Sequence, residues 1–215
     1  MEITWYGLSC FRLTERGNAA IVTDPYDDSL GYPPLKLRAD VVTVSHEAPG
    51  HSYVKGVRGV QRAITGPGEY EVGGVFVIGV MMVNPGKASD NAVRNVAYLF
   101  DFDGLNVLHL GDLDHVPNQS AVDQLGAVDV VLVPVGGGDA LDSARAAEVV
   151  SLLEPSIVVP MHYKTPGVRL NLAPVDKFLK EMGVANAQEV ELLKVTRQTL
   201  PEQTQVVVLA NRSQG

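Results

Sequence analysis

The chain has 215 residues, a formal net charge of −8 at pH 7, and a composition that is 46% hydrophobic but only 6% aromatic. This length suits one medium-sized domain, and we expect residues 1–215 to form it. The single cysteine, Cys10, excludes an internal disulfide and fits a reducing, cytoplasmic setting. The acidic balance, with no cluster of Lys and Arg, argues against a nucleic-acid partner.

The sequence also argues against a membrane partner. Its longest apolar run, residues 75–83, is far too short to cross a bilayer. The amino-terminal stretch MEITWYG has no basic region leading into an apolar one, so no signal peptide is expected. Nothing in the composition specifies an oligomeric state.

The first half of the chain is predicted to consist of short strands separated by turns that contain Gly, Pro and Asn. These strands are expected over residues 2–6, 10–14, 19–23, 41–45, 61–65, 75–83 and 95–102. The second half alternates strands at 105–110, 129–135, 156–160 and 204–210 with helices at 117–125, 142–153, 174–182 and 188–196. This order predicts an α+β fold with sheets in the middle and helices outside.

Polar side chains follow three of the predicted strands. His46 and His51 come after strand 41–45, Asp112 comes after strand 105–110, and His162 comes after strand 156–160. Residues just beyond the carboxyl ends of strands tend to converge on one crevice in open α/β sheets. Imidazole nitrogens and a carboxylate are suitable ligands for zinc, iron or manganese, so the pattern predicts a metal site. Taken singly, each residue also fits a plainer role, such as a turn or helix cap for Asp112.

Other polar residues near these strands are weaker candidates for a functional site. His109 lies inside a predicted strand, which favours packing or a backbone hydrogen bond, and His115 is interpreted as a loop residue or a neighbour of the ligands. The triplet Gly136-Gly137-Gly138 lacks the lysine of a phosphate-binding loop, so we interpret it as a loop that a ligand or backbone approaches closely. Tyr163 and Lys164 are candidates for binding an anionic substrate group, although simple exposure also explains them.

Several segments together resemble the metallo-β-lactamase superfamily, in the branch similar to L-ascorbate-6-phosphate lactonase and uncharacterised metal-dependent hydrolases. In chain order they are ITWYGLSCFRL, IVTDPYDDSLGYPP, TGPGEYEVGGV, HLGDLDH, VLVPVGGG and VVPMHYKT, and they cover nearly the whole chain. The resemblance implies a four-layer αββα sandwich, the metallo-β-lactamase fold, with a metal crevice at one edge of the two sheets.

The resemblance also implies which ligands are missing from the family's HxHxDH loop. His46 and His51 match its first and last histidines, whereas Ala48 stands for the middle histidine and Gly50 for the aspartate. The loop, which normally supplies four ligands, is thus reduced to two.

Elsewhere the match is again partial. Asp112 corresponds to the family's bridging aspartate and His162 to its last histidine. Asn84 falls where a further histidine is expected, and Leu8 replaces a histidine of the first hairpin.

These losses predict at most one metal ion. The first metal position would keep only His46, whereas the second would keep His51, Asp112 and His162, the minimum for a catalytic three-ligand site. A two-metal clamp with ions about 3.5–4 Å apart is therefore not expected. We expect one weakly bound divalent ion (zinc, manganese or iron) or none, with Asp112 as the catalytic carboxylate.

Two functions remain open at this point. One is hydrolysis of a small ester, lactone or phosphorylated compound by water that one metal ion activates. The other is a metal-free, catalytically inactive descendant that binds a ligand or a partner protein. A third function, hydrolysis of RNA or DNA, is disfavoured because the chain has no added nucleic-acid domain. A small molecule is the expected partner.

Overall fold

The computed structural model describes residues 1–87, 94–185 and 187–214. The helices are α1 (Gln119–Leu125), α2 (Ser143–Leu153) and α3 (Val175–Glu181). The strands, in chain order, are β1 (Glu2–Trp5), β2 (Phe11–Thr14), β3 (Ile21–Thr23), β4 (Leu37–Arg38), β5 (Val41–Thr43), β6 (Val57–Arg58), β7 (Arg62–Ile64), β8 (Gly68–Val72), β9 (Val75–Met82), β10 (Asn95–Phe102), β11 (Leu105–His109), β12 (Val130–Pro134), β13 (Ile157–Met161), β14 (Glu189–Val190), β15 (Leu193–Lys194), β16 (Gln205–Val206) and β17 (Val208–Leu209).

Two large mixed sheets form the centre of the fold. The first has the order β15-β1-β2-β3-β5-β7, and the second has the order β16-β13-β12-β11-β10-β9-β8. In the first sheet β3, β5 and β7 are parallel, and in the second β11, β12, β13 and β16 are parallel. Two small pairs, β4–β6 and β14–β17, complete the strand pairing of the described residues.

Side chains of the first sheet alternate between two apolar clusters, as the two-residue period of a strand requires. Ile21 and Val41 belong to the main core between the sheets, whereas their neighbours Val22 and Val42 pack on the outer face. Because both faces are buried, these short strands read as continuous apolar runs in the sequence.

Helices cover part of the sandwich. Helix α2 packs against β12 and α3, and α1 lies against β9. In the described ranges the outer face of the first sheet is covered by loops and by the short 3₁₀ turns Asp28–Leu30 and Val54–Gly56. The architecture is the predicted αββα sandwich of an α+β protein, with a thin outer layer on that side. Within the same ranges, no helix has the length and apolarity that crossing a bilayer requires.

Two predicted elements were wrong. The expected helix 188–196 is the pair of short strands β14 and β15, because Leu193 and Lys194 pair with β1 while Glu189 and Val190 pair with β17. The expected strand 204–210 divides into β16, which extends the second sheet, and β17, which pairs with β14. In both places, pairing with distant strands overrides the local pattern.

Candidate metal centre

The four predicted ligands lie in one crevice at the carboxyl ends of strands from both sheets. His46 and His51 follow β5 of the first sheet, whereas Asp112 follows β11 and His162 follows β13 of the second. The crevice is a cavity of about 1010 Å³, and all four side chains line it. The convergence predicted from strand ends is thus confirmed, although their role as metal ligands stays a prediction.

One carboxylate oxygen is the centre of this arrangement. Oδ2 of Asp112 lies 3.1 Å from Nε2 of His51, 3.5 Å from Nε2 of His162 and 4.0 Å from Nε2 of His46. Candidate ligand atoms of His46, His51 and Asp112 lie within 4.8 Å of one another. Three imidazoles therefore present the same ring nitrogen to one partly buried carboxylate.

These spacings fit a single divalent ion. Zinc binds imidazole nitrogen and carboxylate oxygen at about 2.0–2.2 Å, so two ligands of a tetrahedral site lie roughly 3.3–3.6 Å apart. The separations of His51 and His162 from Asp112 are close to that spacing, and His46 is slightly outside it. The set whose candidate ligand atoms all lie within 4.8 Å of one another is, however, His46, His51 and Asp112. His162 is close to Asp112, but its ring centroid lies 5.9 Å from that of His51, whereas that of His46 lies 4.2 Å away.

Asp24, which the sequence analysis did not single out, orients two of the imidazoles. It is fully buried and follows β3, the strand beside β5. Its Oδ2 lies 3.0 Å from Nδ1 of His51 and accepts a hydrogen bond from Oγ of Ser45 at 2.6 Å. A carboxylate bonded to the far nitrogen of a histidine fixes the ring and its tautomer for ligation by the other nitrogen.

The same carboxylate acts on His46 through Ser45. Since Oγ of Ser45 donates its proton to Asp24, it accepts from Nδ1 of His46, 3.0 Å away. Nε2 of His46 then faces the crevice with a free lone pair. In the sequence, Asp24 is marked only by the Asp-Pro pair that follows strand 19–23. Its role depends on contacts with Ser45 and His51, which lie more than 20 residues further along the chain.

Asp112 is held by two further residues that were missed. Its backbone N–H donates to Oδ1 of Asn95 at 3.0 Å, and Oγ of Ser9 donates to Asp112 Oδ1 at 3.3 Å. Asn95 is fixed in turn by its own bond to the carbonyl of Leu110. Oδ2 of Asp112 is consequently left for the three histidines.

The electrostatics of the crevice concentrate a proton on one histidine. Burial opposes the charge on Asp112, but His162, His51 and His46 hold the pKa of that carboxyl well below its ordinary value. Burial alone would lower the pKa of His51, yet Asp112 and Asp24 raise it to about 10. Burial, reinforced by His51, lowers the pKa of both His46 and His162. Without an ion, His51 is the charged imidazole between two carboxylates at neutral pH.

The backbone of His162 has an uncommon conformation and packs closely against Gly136. Its φ is 51°, a left-handed conformation that is uncommon for a residue with a side chain. A Cβ at Gly136 would lie 2.2 Å from the carbonyl oxygen of His162, so only glycine admits this approach. Gly136, the first glycine of the triplet, therefore lets neighbouring backbone approach closely, as was predicted for this loop. Nδ1 of His162 is buried without a hydrogen-bond partner among the described residues.

Asn84 and Gly50, two positions where the family resemblance implies metal ligands, have other contacts in this structure. The Asn84 amide donates to Oδ2 of Asp114 at 3.1 Å and accepts from the N–H of Gly86 at 2.9 Å. At Gly50 a Cβ would lie 2.8 Å from Cδ1 of Leu30 and 3.8 Å from Cδ1 of Leu8. Leucine side chains thus occupy the space that a side chain at position 50 would need.

The remaining polar candidates lie outside the group of four. Nε2 of His109 is 2.8 Å from the carbonyl of Ser9, which confirms its predicted backbone bond. Nδ1 of His115 bonds Asp114 at 2.8 Å. Tyr163 is buried against Trp5, and Nζ of the exposed Lys164 points to loop carbonyls, so neither is among the residues that line the crevice.

Comparison with known proteins identifies the family of this chain. A family model described as a β-lactamase superfamily domain matches residues 2–162. A UPF0173 protein of Pyrococcus furiosus is 29% identical over 85% of this chain and 90% of its own length. A UPF0173 metal-dependent hydrolase of Thermoplasma acidophilum is 25% identical over 77% of this chain and 84% of its own.

Solved structures extend the comparison. A Thermotoga maritima protein of the metallo-β-lactamase superfamily, proposed to be a zinc-dependent hydrolase, is 39% identical with a TM-score of 0.79, and 97% of each chain is covered. Igni18, a metallo hydrolase of Ignicoccus hospitalis, shares the fold with a TM-score of 0.65 at 22% identity, over 91% of this chain and 99% of its own. With its sandwich, its strand-end crevice and these relatives, the chain belongs to the metallo-β-lactamase superfamily.

Proposed function

We propose that the protein is a hydrolase that uses one divalent metal ion, held by His51, Asp112 and His162 with His46 at the edge of the group, to cleave a small ester, lactone or phosphorylated compound. The observation that carries this proposal is the convergence of three Nε2 atoms on Oδ2 of Asp112 within 4.0 Å. The metal-dependent hydrolases among the relatives support the same class of reaction. The closer likeness to the ascorbate-phosphate lactonase branch stays a prediction.

When bound, a divalent ion supplies Lewis acidity and lowers the pKa of a water molecule so that hydroxide is available near neutral pH. The protein's own groups prepare the site for it. Asp112 contributes a full negative charge because the surrounding imidazoles keep its pKa low. Asp24 keeps the Nε2 atoms of His51 and His46 directed at the crevice, and the burial of His51 and His162 limits competition from bulk water.

The position of His46 is compatible with two roles. At 4.0 Å from Asp112 it either completes a four-ligand set or leaves Nε2 free to accept a proton from the attacking water. Replacement by glutamine distinguishes them. If His46 is a ligand, His46→Gln loses metal, whereas if it accepts a proton, the variant keeps its metal and loses only turnover.

The proposal is tested by metal content and hydrolysis measured on the same sample. Protein purified without chelator is analysed for zinc, manganese and iron, then reloaded with each and assayed on a lactone, p-nitrophenyl acetate and a phosphodiester. We expect no more than one ion per chain, and we expect Asp112→Asn to lose metal and hydrolysis together. Asp123→Asn, an exposed carboxylate change on α1, is the matched control. Two ions per chain, or full activity of Asp112→Asn, would contradict the proposal.

A metal-free binding protein is the second candidate. The observation that favours it is the charged His51 between Asp24 and Asp112, which satisfies all three groups without an ion. In that case chelator leaves both the melting temperature and ligand binding unchanged, and metal reloading produces no hydrolysis.

A further inference from the structure

The residues that line the crevice divide into an apolar group and a polar group. Leu30, Leu170 and Leu172 form the apolar group, which we call the leucine wall, and Ala48 and Pro49 extend it. Leu172 is buried, and the other two leucines are half-buried. Apolar surface of this kind favours a ligand that removes it from water.

The leucine wall is fixed by hydrogen bonds between two loops. The backbone N–H of Arg169 donates to the carbonyl of Leu30 at 3.0 Å, and its Nη1 donates to the carbonyl of Ser29 at 3.2 Å. The N–H of Leu172 donates to the carbonyl of Leu170 at 3.2 Å. The wall is therefore part of the folded framework around the crevice.

The polar group is acidic. Its carboxylates are Glu47, Asp112, Asp114 and Asp139, and Lys87 is the one lysine or arginine among the described lining residues. Nζ of Lys87 lies 2.8 Å from Oδ2 of Asp114, so its charge is already paired. Even with a divalent ion bound and the histidines neutral, these groups leave the lining with a net negative charge.

Two cations close to the leucine wall, Lys164 and Arg169, are directed elsewhere. Nζ of Lys164 lies 3.4 Å from the carbonyl of Val168 and 3.5 Å from that of Leu170, and the guanidinium of Arg169 binds Ser29. A phosphate dianion would therefore find repulsion at every carboxylate and no unpaired cationic side chain among the described lining residues.

We infer that the substrate is an uncharged carboxylic ester or lactone whose apolar chain lies against the leucine wall, and that phosphorylated compounds are rejected. The inference rests on the proposed function and narrows its substrate class. In the reaction, hydroxide from water bonds to the acyl carbon and the bond from that carbon to the leaving oxygen breaks. The leaving oxygen takes up the remaining proton, which yields a carboxylic acid and an alcohol.

The first test compares substrates on zinc-loaded protein. The kcat/KM values of p-nitrophenyl acetate, butyrate and hexanoate are measured beside that of p-nitrophenyl phosphate. A fully buried methylene contributes about fourfold, and because the wall covers part of the chain we expect about a tenfold or greater rise from acetate to hexanoate. Activity on the phosphate should lie at least about 100-fold below that on hexanoate, as expected for a buried charge without a partner.

A substitution in the leucine wall tests whether this wall causes the preference for longer acyl chains. Leu170→Asn should reduce the hexanoate-to-acetate ratio by about threefold or more, since a polar side chain then faces the apolar chain. Phe76→Asn is the matched control, because Phe76 is exposed on β9, outside the crevice lining, and should leave the ratio unchanged. A melting curve for each variant separates a change of preference from a loss of fold.

A binding measurement keeps this inference separable from the proposed function. Hexanamide, acetamide and phenyl phosphate are titrated into metal-free protein by ligand-observed NMR. Tighter binding of hexanamide without any hydrolysis supports the ligand class and refutes the proposed hydrolase. Hydrolysis that favours the phosphate, or is insensitive to chain length, overturns the inference and leaves the hydrolase standing. Equal binding of all three probes with no hydrolysis overturns both.

Discussion

Among single residues, Asp24 orients two of the four candidate ligands. It contacts His51 directly and His46 through Ser45, so both rings depend on it for their orientation. Its own backbone has a φ of 38°, and Leu8 and His162 beside the crevice also have positive φ values. Strained backbone of this kind tends to occur where surrounding structure fixes a functional geometry.

Replacing Asp24 should therefore weaken metal binding without removing a ligand. Asp24→Asn is expected to lower zinc affinity by about 10–100-fold, because an amide no longer fixes the tautomer of His51. Affinity is measured by competition with a chelating dye. Asp40→Asn is the control, since Asp40 also bonds the backbone of the first sheet but lies outside the crevice lining. Equal losses in the two variants would show a general effect on folding.

The raised pKa of His51 predicts a pH dependence of metal uptake. A ligating imidazole must be neutral, but in the metal-free protein His51 keeps its proton up to a pKa of about 10. Zinc binding at pH 7–9 should thus release about one proton, and affinity should rise about tenfold per pH unit. Calorimetry in two buffers of different ionisation enthalpy measures the released proton, and affinity that is flat with pH would contradict the assignment.

The same pKa bears on the stability of the metal-free fold. Because the folded pKa of His51 is raised from 6.5, its contribution to stability is fully present below about pH 6.5 and is lost as the pH rises towards 10. Chemical denaturation of chelated protein across that range checks the sign.

At the scale of elements, the loop after β5 has little room for the carboxylate that the family resemblance implies at position 50. Gly50 does not have a positive φ, so aspartate would meet no backbone obstacle there. The obstacle is Cδ1 of Leu30, which a Cβ at position 50 would approach to 2.8 Å. Leu30 belongs to the 3₁₀ turn Asp28–Leu30, which the loop around Arg169 holds in place.

Rebuilding two metal positions should thus require four changes. Ala48→His, Gly50→Asp and Asn84→His restore ligands, and Leu30→Ala makes room for the new carboxylate. We expect the variant with all four substitutions to retain two zinc ions per chain after dialysis. The variant without Leu30→Ala should retain fewer. Leu30→Ala alone should not change zinc content. If the variant with all four substitutions folds but binds no more zinc than the parent, the loop does not have the shape that binding a second ion requires.

Much of the architecture was predictable because its signals are local. Residues such as Val41 to Val44 form apolar runs bounded by turns, and polar residues directly after such strands mark the crevice. By contrast, β8 was missed because Gly68 and the preceding Gly-Pro pair indicate a turn, whereas its pairing with β9 makes it a strand. Asp24, Ser9 and Asn95 were missed since their roles depend on partners brought together by the fold.

At the scale of the whole molecule, the candidate ligands join the two sheets. If residues 1–215 form one domain, thermal unfolding should show a single transition. Zinc at about 100 times its dissociation constant stabilises by about 2.7 kcal/mol, which should raise the melting temperature by roughly 5–10 °C for a chain of this size. Calorimetry with and without zinc measures the shift, and Asp112→Asn should abolish it. Two transitions, or the same shift in the variant, would contradict this prediction.

The placement of His46 and His51 on one sheet and of Asp112 and His162 on the other has a consequence for the unfolded chain. An ion that binds His51, Asp112 and His162 closes two loops, of roughly 60 and 50 residues, much as a reversible cross-link would. In an ensemble that retained the ion, this closure would remove conformational entropy, as a disulfide does. Since Cys10 is the chain's single cysteine, no internal disulfide is available for that purpose. A metal ion bound in the crevice would link the two sheets at the carboxyl ends of their strands, and a chelator would remove this link.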